Sequence, residues 1–171
     1  MKRFGIAGWS GSGKTTLVRQ LLPELIGRGL AVSTVKHAHH NFDVDRPGKD
    51  SYEHRVAGAK EVLVASSVRW ALMHESRGEI EPSLDALIAH MAPVDLILIE
   101  GFKSESYHKL EVHRPSIGKK LLCVEDADVV ALASDAPVED TQLRVLDLNN
   151  VSEIADFIIA HCGLDASRRE A

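Results

Sequence analysis

The chain has 171 residues, which suits one domain with a single hydrophobic core. Its hydrophobic content of 44% and its charged content of 26% lie near the averages of globular proteins. Its net charge of −5 gives no general argument for binding to nucleic acid or to anionic membranes, and neither is expected as a partner. No apolar stretch has the length of a transmembrane helix, and the amino-terminal residues lack the pattern of a signal peptide, so we expect a cytoplasmic protein.

The first predicted elements are a short apolar strand over residues 3–7 and a helix over residues 14–26. Between them the sequence GWSGSGKT, residues 8–15, matches the phosphate-loop pattern Gly-x-x-x-x-Gly-Lys-Ser/Thr. Because the motif stands after a strand and before a helix, the context that a phosphate loop requires, we predict a site for a nucleoside triphosphate here.

The phosphate loop assigns chemistry to particular residues. Its glycines let successive N–H groups curve inward toward phosphate oxygens, and the following helix adds the positive end of its dipole. Lys14 is predicted to reach the β- and γ-phosphates and to act in catalysis, and the Thr15 hydroxyl is predicted to bind Mg²⁺. The predicted nucleotide-binding residues of the loop are Gly8, Ser10, Gly11, Ser12, Gly13, Lys14 and Thr15.

A second strand is predicted over residues 31–36, and a polar segment rich in histidine and aspartate follows it over residues 37–49. Asp43 and Asp45 are spaced to present two carboxylates on one side of an extended loop. Both are candidates for a catalytic role in orienting the attacking water, and Asp45 is also a candidate Mg²⁺ ligand through water.

Three histidines in the same segment, His37, His39 and His40, admit two interpretations. They could bind zinc or another transition metal, or they could be solvated and hydrogen-bonded side chains. The second interpretation is favoured because no cysteine and no regular second pair of ligands accompanies them.

The next predicted elements are a helix over residues 50–58, a hairpin of strands over residues 61–65 and 68–74, and a helix over residues 83–91. Val68, Trp70 and Leu72 alternate on one face of the hairpin. Packing into the core is the ordinary interpretation of such a face, and pairing with a second subunit is the alternative.

The apolar run DLILIE, residues 95–100, is predicted to be a buried parallel strand. Glu100 ends this strand and precedes a glycine that leaves room for phosphate, so it is the predicted acid on the metal side of the site. Its alternative role is to pair with a basic neighbour. Asp95 stands at the other end of the strand, about 17 Å away, and is predicted to be structural.

The remaining predicted elements are strands over residues 109–112, 121–124, 129–132 and 144–148 and a helix over residues 151–161. Alternating strands and helices predict an α/β fold, a three-layer sandwich on a mostly parallel sheet of the P-loop NTPase type, with the nucleotide at the carboxyl ends of the strands. We predict one nucleotide-binding domain over residues 1–164 and a charged, flexible tail over residues 165–171.

Four segments carry a family resemblance: residues 8–15 (GWSGSGKT), residues 36–59 with KHAHH and FDVDRPGKDS, residues 95–103 (DLILIEGFK) and residues 109–114 (KLEVHR). Together they cover most of the chain and resemble the MobB family of molybdopterin-guanine dinucleotide biosynthesis adapter proteins. The phosphate loop alone is generic, whereas the second and third segments in this order are specific.

The resemblance implies a GTP-binding homodimer that hydrolyses GTP slowly with Mg²⁺. It also implies a partner, the molybdenum cofactor guanylyltransferase that joins GMP to molybdopterin, and makes molybdopterin a further candidate ligand. Carried over by position, it extends the phosphate loop through Thr16, makes Glu100 the metal-side acid, and makes Asp43 and Asp45 switch-like acids.

The sequence lacks the Asn-Lys-x-Asp motif by which many GTPases recognise guanine. By position, Asp135 after the strand over residues 129–132 is a candidate acceptor for the guanine edge, and a solvated loop aspartate is the alternative. The preference for GTP therefore rests on the resemblance.

A basic band after the strand at residues 95–100 is a further candidate for binding a pterin phosphate or an acidic partner, although a solvated loop face is favoured. Its members are Lys103, His108, Lys109, His113, Arg114, Lys119 and Lys120. Two other functions remain open on the sequence: a small-metabolite kinase, which uses the same loop, and a carrier of nucleotide or pterin that never turns over.

Overall fold

The structure, a computed structural model, describes residues 1–38, 42–102, 105–139 and 141–165. The chain divides into two compact units: the sheet unit, residues 1–37 and 92–171, and the hairpin unit, residues 38–91. The predicted domain over residues 1–164 contains both units. The predicted tail lies outside the described residues, apart from Asp165.

The elements in chain order are β1 (Lys2–Ala7), α1 (Lys14–Gly27), β2 (Val32–Lys36), α2 (Asp50–Val56), β3 (Glu61–Ala65), β4 (Trp70–His74), α3 (Leu84–Ile88), β5 (Leu96–Glu100), β6 (Lys109–His113), β7 (Val129–Ser134), β8 (Arg144–Asp147) and α4 (Val151–Cys162). Two short 3₁₀ helices, Pro115–Ile117 and Leu122–Val124, lie between β6 and β7. None of the helices in the described part of the chain is long and apolar enough to cross a membrane.

Six strands of the sheet unit form one sheet in the order β2-β5-β1-β6-β7-β8, and every neighbouring pair is parallel. The predicted α/β class is therefore confirmed. In the register of β1 with β5, Ile6 lies opposite Glu100. Because both strands end at the same edge, the loop after β1 and the acid at the end of β5 share the carboxyl edge of the sheet.

The hydrophobic core joins one face of the sheet to α1 and α4. Phe4 and Leu98 from the strands pack in one cluster with Leu21 of α1 and Ile158 of α4. Because side chains alternate along a strand, Ile99 points to the opposite face, where it is also fully buried. Both faces of the central strands are thus covered, as a three-layer sandwich requires.

The amino terminus of α4 is capped by a side chain. The N–H of Glu153 donates to the side-chain oxygen of Asn150 at 3.2 Å, so one of the unpaired donors of the first turn is satisfied.

Replacing the cap residue Asn150 should destabilise the protein. Asn150→Ala should lower the free energy of unfolding by about 1 kcal/mol, because the Glu153 N–H loses its acceptor. Urea unfolding followed by circular dichroism measures the difference. Asn150→Ser, which keeps an oxygen acceptor, is the matched control, and equal losses in both variants would contradict the assigned cap.

Within the hairpin unit, β3 and β4 form a two-stranded antiparallel sheet in which Leu63 lies opposite Leu72. Ser83 caps α3 by accepting a hydrogen bond from the Ala86 N–H at 3.2 Å. This helix ends at Ile88 rather than at the predicted residue 91. Its last turn tightens into bonds of 3₁₀ type, with the Met91 N–H donating to Ile88 O at 3.0 Å.

The strand predicted over residues 121–124 is wrong, because this segment contains a 3₁₀ helix. The cause is the carboxylate of Glu111, which is fully buried on β6. It accepts the N–H groups of Leu122 at 2.8 Å and Cys123 at 3.0 Å. Those donors are unavailable to a strand ladder, and β6 pairs directly with β7 instead.

The predicted basic band is not one surface. Lys109 and His113 are buried within β6, and the Lys109 ammonium donates to Asp126 at 2.8 Å. Lys103 lies outside the described residues. The favoured interpretation as a solvated loop face is therefore wrong for the strand residues, because every residue of β6 is buried.

Candidate nucleotide-binding site

The phosphate loop joins β1 to α1 through glycines in conformations that other residues rarely adopt. Gly8 has φ +142° and Gly13 has φ +102°. A Cβ atom on Gly8 would lie 2.6 Å from both Ser12 Oγ and Val112 O, so the site admits no side chain there. Gly13 stands at the N-cap of α1 without a side-chain cap among the described residues. The first turn of the helix thus presents its N–H groups as an anion site does.

A buried hydroxyl inside the loop has no hydrogen-bond partner among the residues that the structure describes. Ser12 is 2% exposed, and its Oγ is unpaired. Because an unsatisfied buried hydroxyl is unfavourable, such an atom in a native protein indicates a group that binds there. An oxygen of a bound phosphate would accept this hydrogen bond.

Lys14 folds over the loop in this structure. Its ammonium donates to Gly8 O at 2.9 Å and to Trp9 O at 3.0 Å. These carbonyls hold the charge at the mouth of the loop, from which the long side chain can extend to a phosphate.

An open pocket of about 450 Å³ lies over the loop. Its lining residues are Ser10, Gly11, Gly13, Lys14, Thr15, Thr16, Lys36 and Glu100. The pocket thus brings six of the predicted loop residues together with the predicted metal-side acid, whereas Gly8 and Ser12 are not among the described residues that line it. A hydroxyl and a carboxylate beside a phosphate cradle are the oxygen ligands that Mg²⁺ prefers.

Glu100 also forms the ion pair that the sequence left open. Lys36 Nζ lies 3.5 Å from Glu100 Oε1, and the side chains are 58% and 15% exposed. Because the Lys36 side chain is exposed and the contact is as long as 3.5 Å, the pair does not prevent Glu100 from turning to a cation.

The segment after Glu100 is tightly fixed. Gly101 has φ +100°, and a Cβ there would lie 2.6 Å from His37 Cβ. The backbone N–H of His37 donates to Glu100 O at 2.8 Å. The centroid of the His37 ring lies 4.8 Å from the centroid of the Phe102 ring. The Tyr107 hydroxyl donates to Gly101 O, and burial raises the pKa of Tyr107. His37 therefore supports the end of β5, whereas His39 and His40 lie outside the described residues.

Asp135 is held by Arg114, a member of the predicted basic band. Arg114 Nη1 pairs with Asp135 Oδ2, and Arg114 Nε donates to Ser12 O at 2.9 Å. The guanidinium therefore links the phosphate loop to the candidate base-binding acid. The sequence carries no signal for this link, because it depends on β6 being the neighbour of β1 in the sheet.

A family model for MobB, described as molybdopterin guanine dinucleotide synthesis protein B, matches residues 4–135. The chain belongs to the MobB family. It is 47% identical over 159 residues to the molybdopterin-guanine dinucleotide biosynthesis adapter protein of Escherichia coli, covering 91% of this chain and 90% of that protein.

Two further relatives agree with this assignment. The adapter protein of Haemophilus influenzae is 44% identical over 157 residues, covering 91% of this chain and 86% of that one. A crystal structure of molybdopterin-guanine biosynthesis protein B superposes with a TM-score of 0.73 at 27% identity, covering 93% of this chain and 99% of the other. Membership of the MobB family supports a role in the biosynthesis of molybdopterin guanine dinucleotide.

Trp9 covers the flank of the phosphate loop. Its Nε1–H donates to Lys120 O at 2.7 Å, and the Lys119 ammonium lies 5.7 Å from the ring centroid. Trp9 is not among the described residues that line the pocket. The indole therefore leaves the phosphate position open.

Asp43 and Asp45 belong to the hairpin unit, where one guanidinium holds both. Arg55 Nη2 donates to Asp43 at 2.8 Å and to Asp45 at 2.9 Å, and the Asp45 side chain is 7% exposed. The hydrogen bond to Asp45 raises the pKa of Arg55. The catalytic role of both acids and the metal-binding role of Asp45 remain predictions.

A larger depression, about 870 Å³, includes Lys2 and Asp95 at the amino edge of the sheet. Asp95 Oδ2 accepts the Ala31 N–H at 2.8 Å. The acid thus ties β5 to the residue before β2, in agreement with its predicted structural role and its distance from the phosphate loop.

Proposed function

We propose that this protein is a GTP-binding accessory protein that assists the attachment of GMP to molybdopterin and hydrolyses GTP slowly with Mg²⁺. The main support for nucleotide binding is the unpaired Ser12 hydroxyl, which lies inside a glycine loop at the amino terminus of α1. The names of the Escherichia coli and Haemophilus influenzae relatives supply the pathway. The proposed partner is the molybdenum cofactor guanylyltransferase, with molybdopterin as a further ligand and the cytoplasm as the location.

In this proposal the chain binds and orients the triphosphate. Loop N–H groups and Ser12 hold phosphate oxygens, and Lys14 neutralises charge on the β- and γ-phosphates. Thr15 and Glu100 would hold Mg²⁺, which supplies charge neutralisation when bound. As the sequence predicts, Asp43 and Asp45 would orient the attacking water, and Asp45 would also help to hold the metal through water. No glutamine stands out in the sequence as a water-positioning residue, which agrees with slow turnover.

Asp135 is proposed to accept hydrogen bonds from the guanine edge. It follows β7, two strands from β1 in the sheet, at the same carboxyl edge as the phosphate loop. A carboxylate accepts two hydrogen bonds side by side, which matches the two neighbouring donors of guanine and not the donor and acceptor of adenine.

Isothermal titration with GTP and with ATP, each with and without Mg²⁺, tests the proposal. We expect GTP to bind more tightly than ATP and Mg²⁺ to strengthen binding. No binding of either nucleotide would overturn the function, and equal affinity for both would remove the guanine specificity. A pull-down of the guanylyltransferase with and without GTP then tests the partner.

Asp45 should matter more for turnover than for binding. Asp45→Asn is expected to slow GTP hydrolysis at least about tenfold and to change the GTP dissociation constant by less than about threefold, because orienting water acts on the reaction and not on nucleotide affinity. Single-turnover hydrolysis and titration measure the two quantities. Asp50→Asn, which removes an exposed acid of the same unit, is the control. Matched losses in rate and affinity would refute this role of Asp45.

We also propose that the hairpin forms a homodimer interface. Leu63, Val68, Trp70 and Leu72 are exposed, Trp70 by 67%. Leu63 and Leu72 form a cross-strand pair, and Trp70 lies opposite Ala65 on the same face. Large exposed apolar patches on a two-stranded sheet are typical of protein interfaces, and the free strand edges can pair with a second copy.

Trp70→Glu should therefore weaken the dimer. We expect its dissociation constant to rise at least about 30-fold, since a central aromatic side chain contributes about 2 kcal/mol or more to an interface. Sedimentation equilibrium measures this constant. Val124→Glu, at an exposed apolar residue of the sheet unit, should leave the dimer unchanged. A wild-type protein that is monomeric, or a Trp70 variant that dimerises normally, would contradict the interface.

A further inference from the structure

We infer that Arg114 is a positioning residue that couples the phosphate loop to Asp135 and thereby helps to select the base. This inference rests on the proposed binding of GTP. It deepens that proposal by naming a residue that sets specificity without touching the nucleotide.

The sheet register brings the three groups together. β6 and β7 are parallel, and His113 lies opposite Ser134. The next residue along each strand, Arg114 and Asp135, therefore emerges side by side at the carboxyl edge. The β1–β6 pairing places the phosphate loop beside them, so one guanidinium reaches Ser12 O at 2.9 Å and the Asp135 carboxylate at once.

On the loop side, the guanidinium packs against the start of α1. Its nitrogens lie 3.5 and 3.6 Å from the position that a Cβ on Gly13 would occupy. Arg114 is not among the described residues that line the pocket over the loop. The guanidinium therefore contacts the loop on the side away from the pocket. Its hydrogen bond to the Ser12 carbonyl fixes the peptide that precedes Gly13.

On the base side, Arg114 sets the direction of a carboxylate. The side chains of Arg114 and Asp135 are 33% and 26% exposed. Both side chains are thus largely shielded from water, and the charge-assisted contact holds the carboxylate in a defined direction. The planar guanidinium fixes the orientation of the Asp135 carboxylate. Because a carboxylate has about four lone-pair positions, acceptor positions remain for the two donors of guanine.

A bridge of this kind predicts a loss of selectivity and not only of affinity. Arg114→Ala should weaken Mg-GTP binding by about 10- to 100-fold and Mg-ATP binding by much less, because adenine gains nothing from the oriented carboxylate. Arg114→Lys keeps the charge but cannot hold both partners, so it should also lower the ratio of GTP to ATP affinity. Asp135→Asn should cost far less GTP affinity in the Arg114→Ala background than in the wild type.

Titration calorimetry of the wild type, the three single variants and the double variant tests the inference, with thermal unfolding to verify that each is folded. Inosine triphosphate, which lacks the exocyclic amine, should respond less than GTP to Arg114→Ala. Equal losses for GTP and ATP, or additive losses in the double variant, would overturn the inference and leave GTP binding intact. A wild type without preference for GTP would overturn it together with the proposed guanine specificity. A wild type that binds no nucleotide would instead refute the proposed function.

Discussion

Lys14→Ala should lower the affinity for Mg-GTP by at least about 100-fold, because the ammonium makes charge-assisted hydrogen bonds to two phosphates. In this structure the ammonium donates to the Gly8 carbonyl at 2.9 Å and to the Trp9 carbonyl at 3.0 Å, and these bonds can be given up when phosphate binds. Titration calorimetry of folded protein measures the change.

Lys2→Ala is the matched control for this prediction. Lys2 begins β1, at the opposite end of the strand from the phosphate loop, and is exposed. The control removes the same charge from the same unit and should leave the affinity unchanged. GTP affinity that survives in the Lys14 variant would show that the triphosphate does not lie on the loop.

Gly8→Ala should lower the free energy of unfolding by about 3 kcal/mol and eliminate GTP binding. Two effects add. The backbone has φ +142°, which alanine adopts unfavourably, and the new Cβ would lie 2.6 Å from Val112 O on β6. The strand cannot yield without disturbing its pairing with β1, so the loop must move. Urea unfolding and nucleotide titration measure the two consequences.

Gly118→Ala separates the steric effect from the backbone effect. Gly118 also has a positive φ, +66°, but nothing lies within 4 Å of its Cβ position. We expect a loss of about 1 kcal/mol and unchanged GTP binding. If both glycine variants lost the same stability and both bound GTP, the close packing assigned to the phosphate loop would be wrong.

The sequence predicts the fold and the centre of the site because both depend on local signals. The phosphate loop is contiguous, and the run at β5 is apolar enough to be recognised as a buried parallel strand. Once the sheet is parallel, Glu100 must lie at the same edge as the loop. Lys14, Thr15 and Glu100 meet in one pocket for this reason.

The sequence does not reveal contacts between distant segments. Arg114 and Ser12 are separated by 102 positions, and the bridge exists only because β6 is the neighbour of β1. Neither strand order nor register can be read from periodicity. The carboxylate of Glu111 likewise reaches forward to Leu122 and turns a predicted strand into a 3₁₀ helix, an outcome that the apolar pattern of residues 121–124 conceals.

For the hairpin, the sequence pattern predicts a face of apolar residues but not what that face contacts. The alternation of Val68, Trp70 and Leu72 is the same for a face that packs inside its own chain and for one that packs on another. The exposure of Trp70, 67% in the structure, is a property that the alternation cannot predict. Asp45 is similar, since its spacing from Asp43 indicated a pair of acids but not the guanidinium of Arg55 between them.

A crystal structure of this protein with GTP and Mg²⁺ tests the central claim most directly. We expect the β-phosphate to lie within the curve of residues 8–15, the Ser12 hydroxyl to donate to a phosphate oxygen, and Lys14 Nζ to leave the Gly8 carbonyl for the γ-phosphate. A loop without nucleotide at saturating GTP, with the Ser12 hydroxyl still unpaired and Lys14 still folded onto Gly8, would contradict the account.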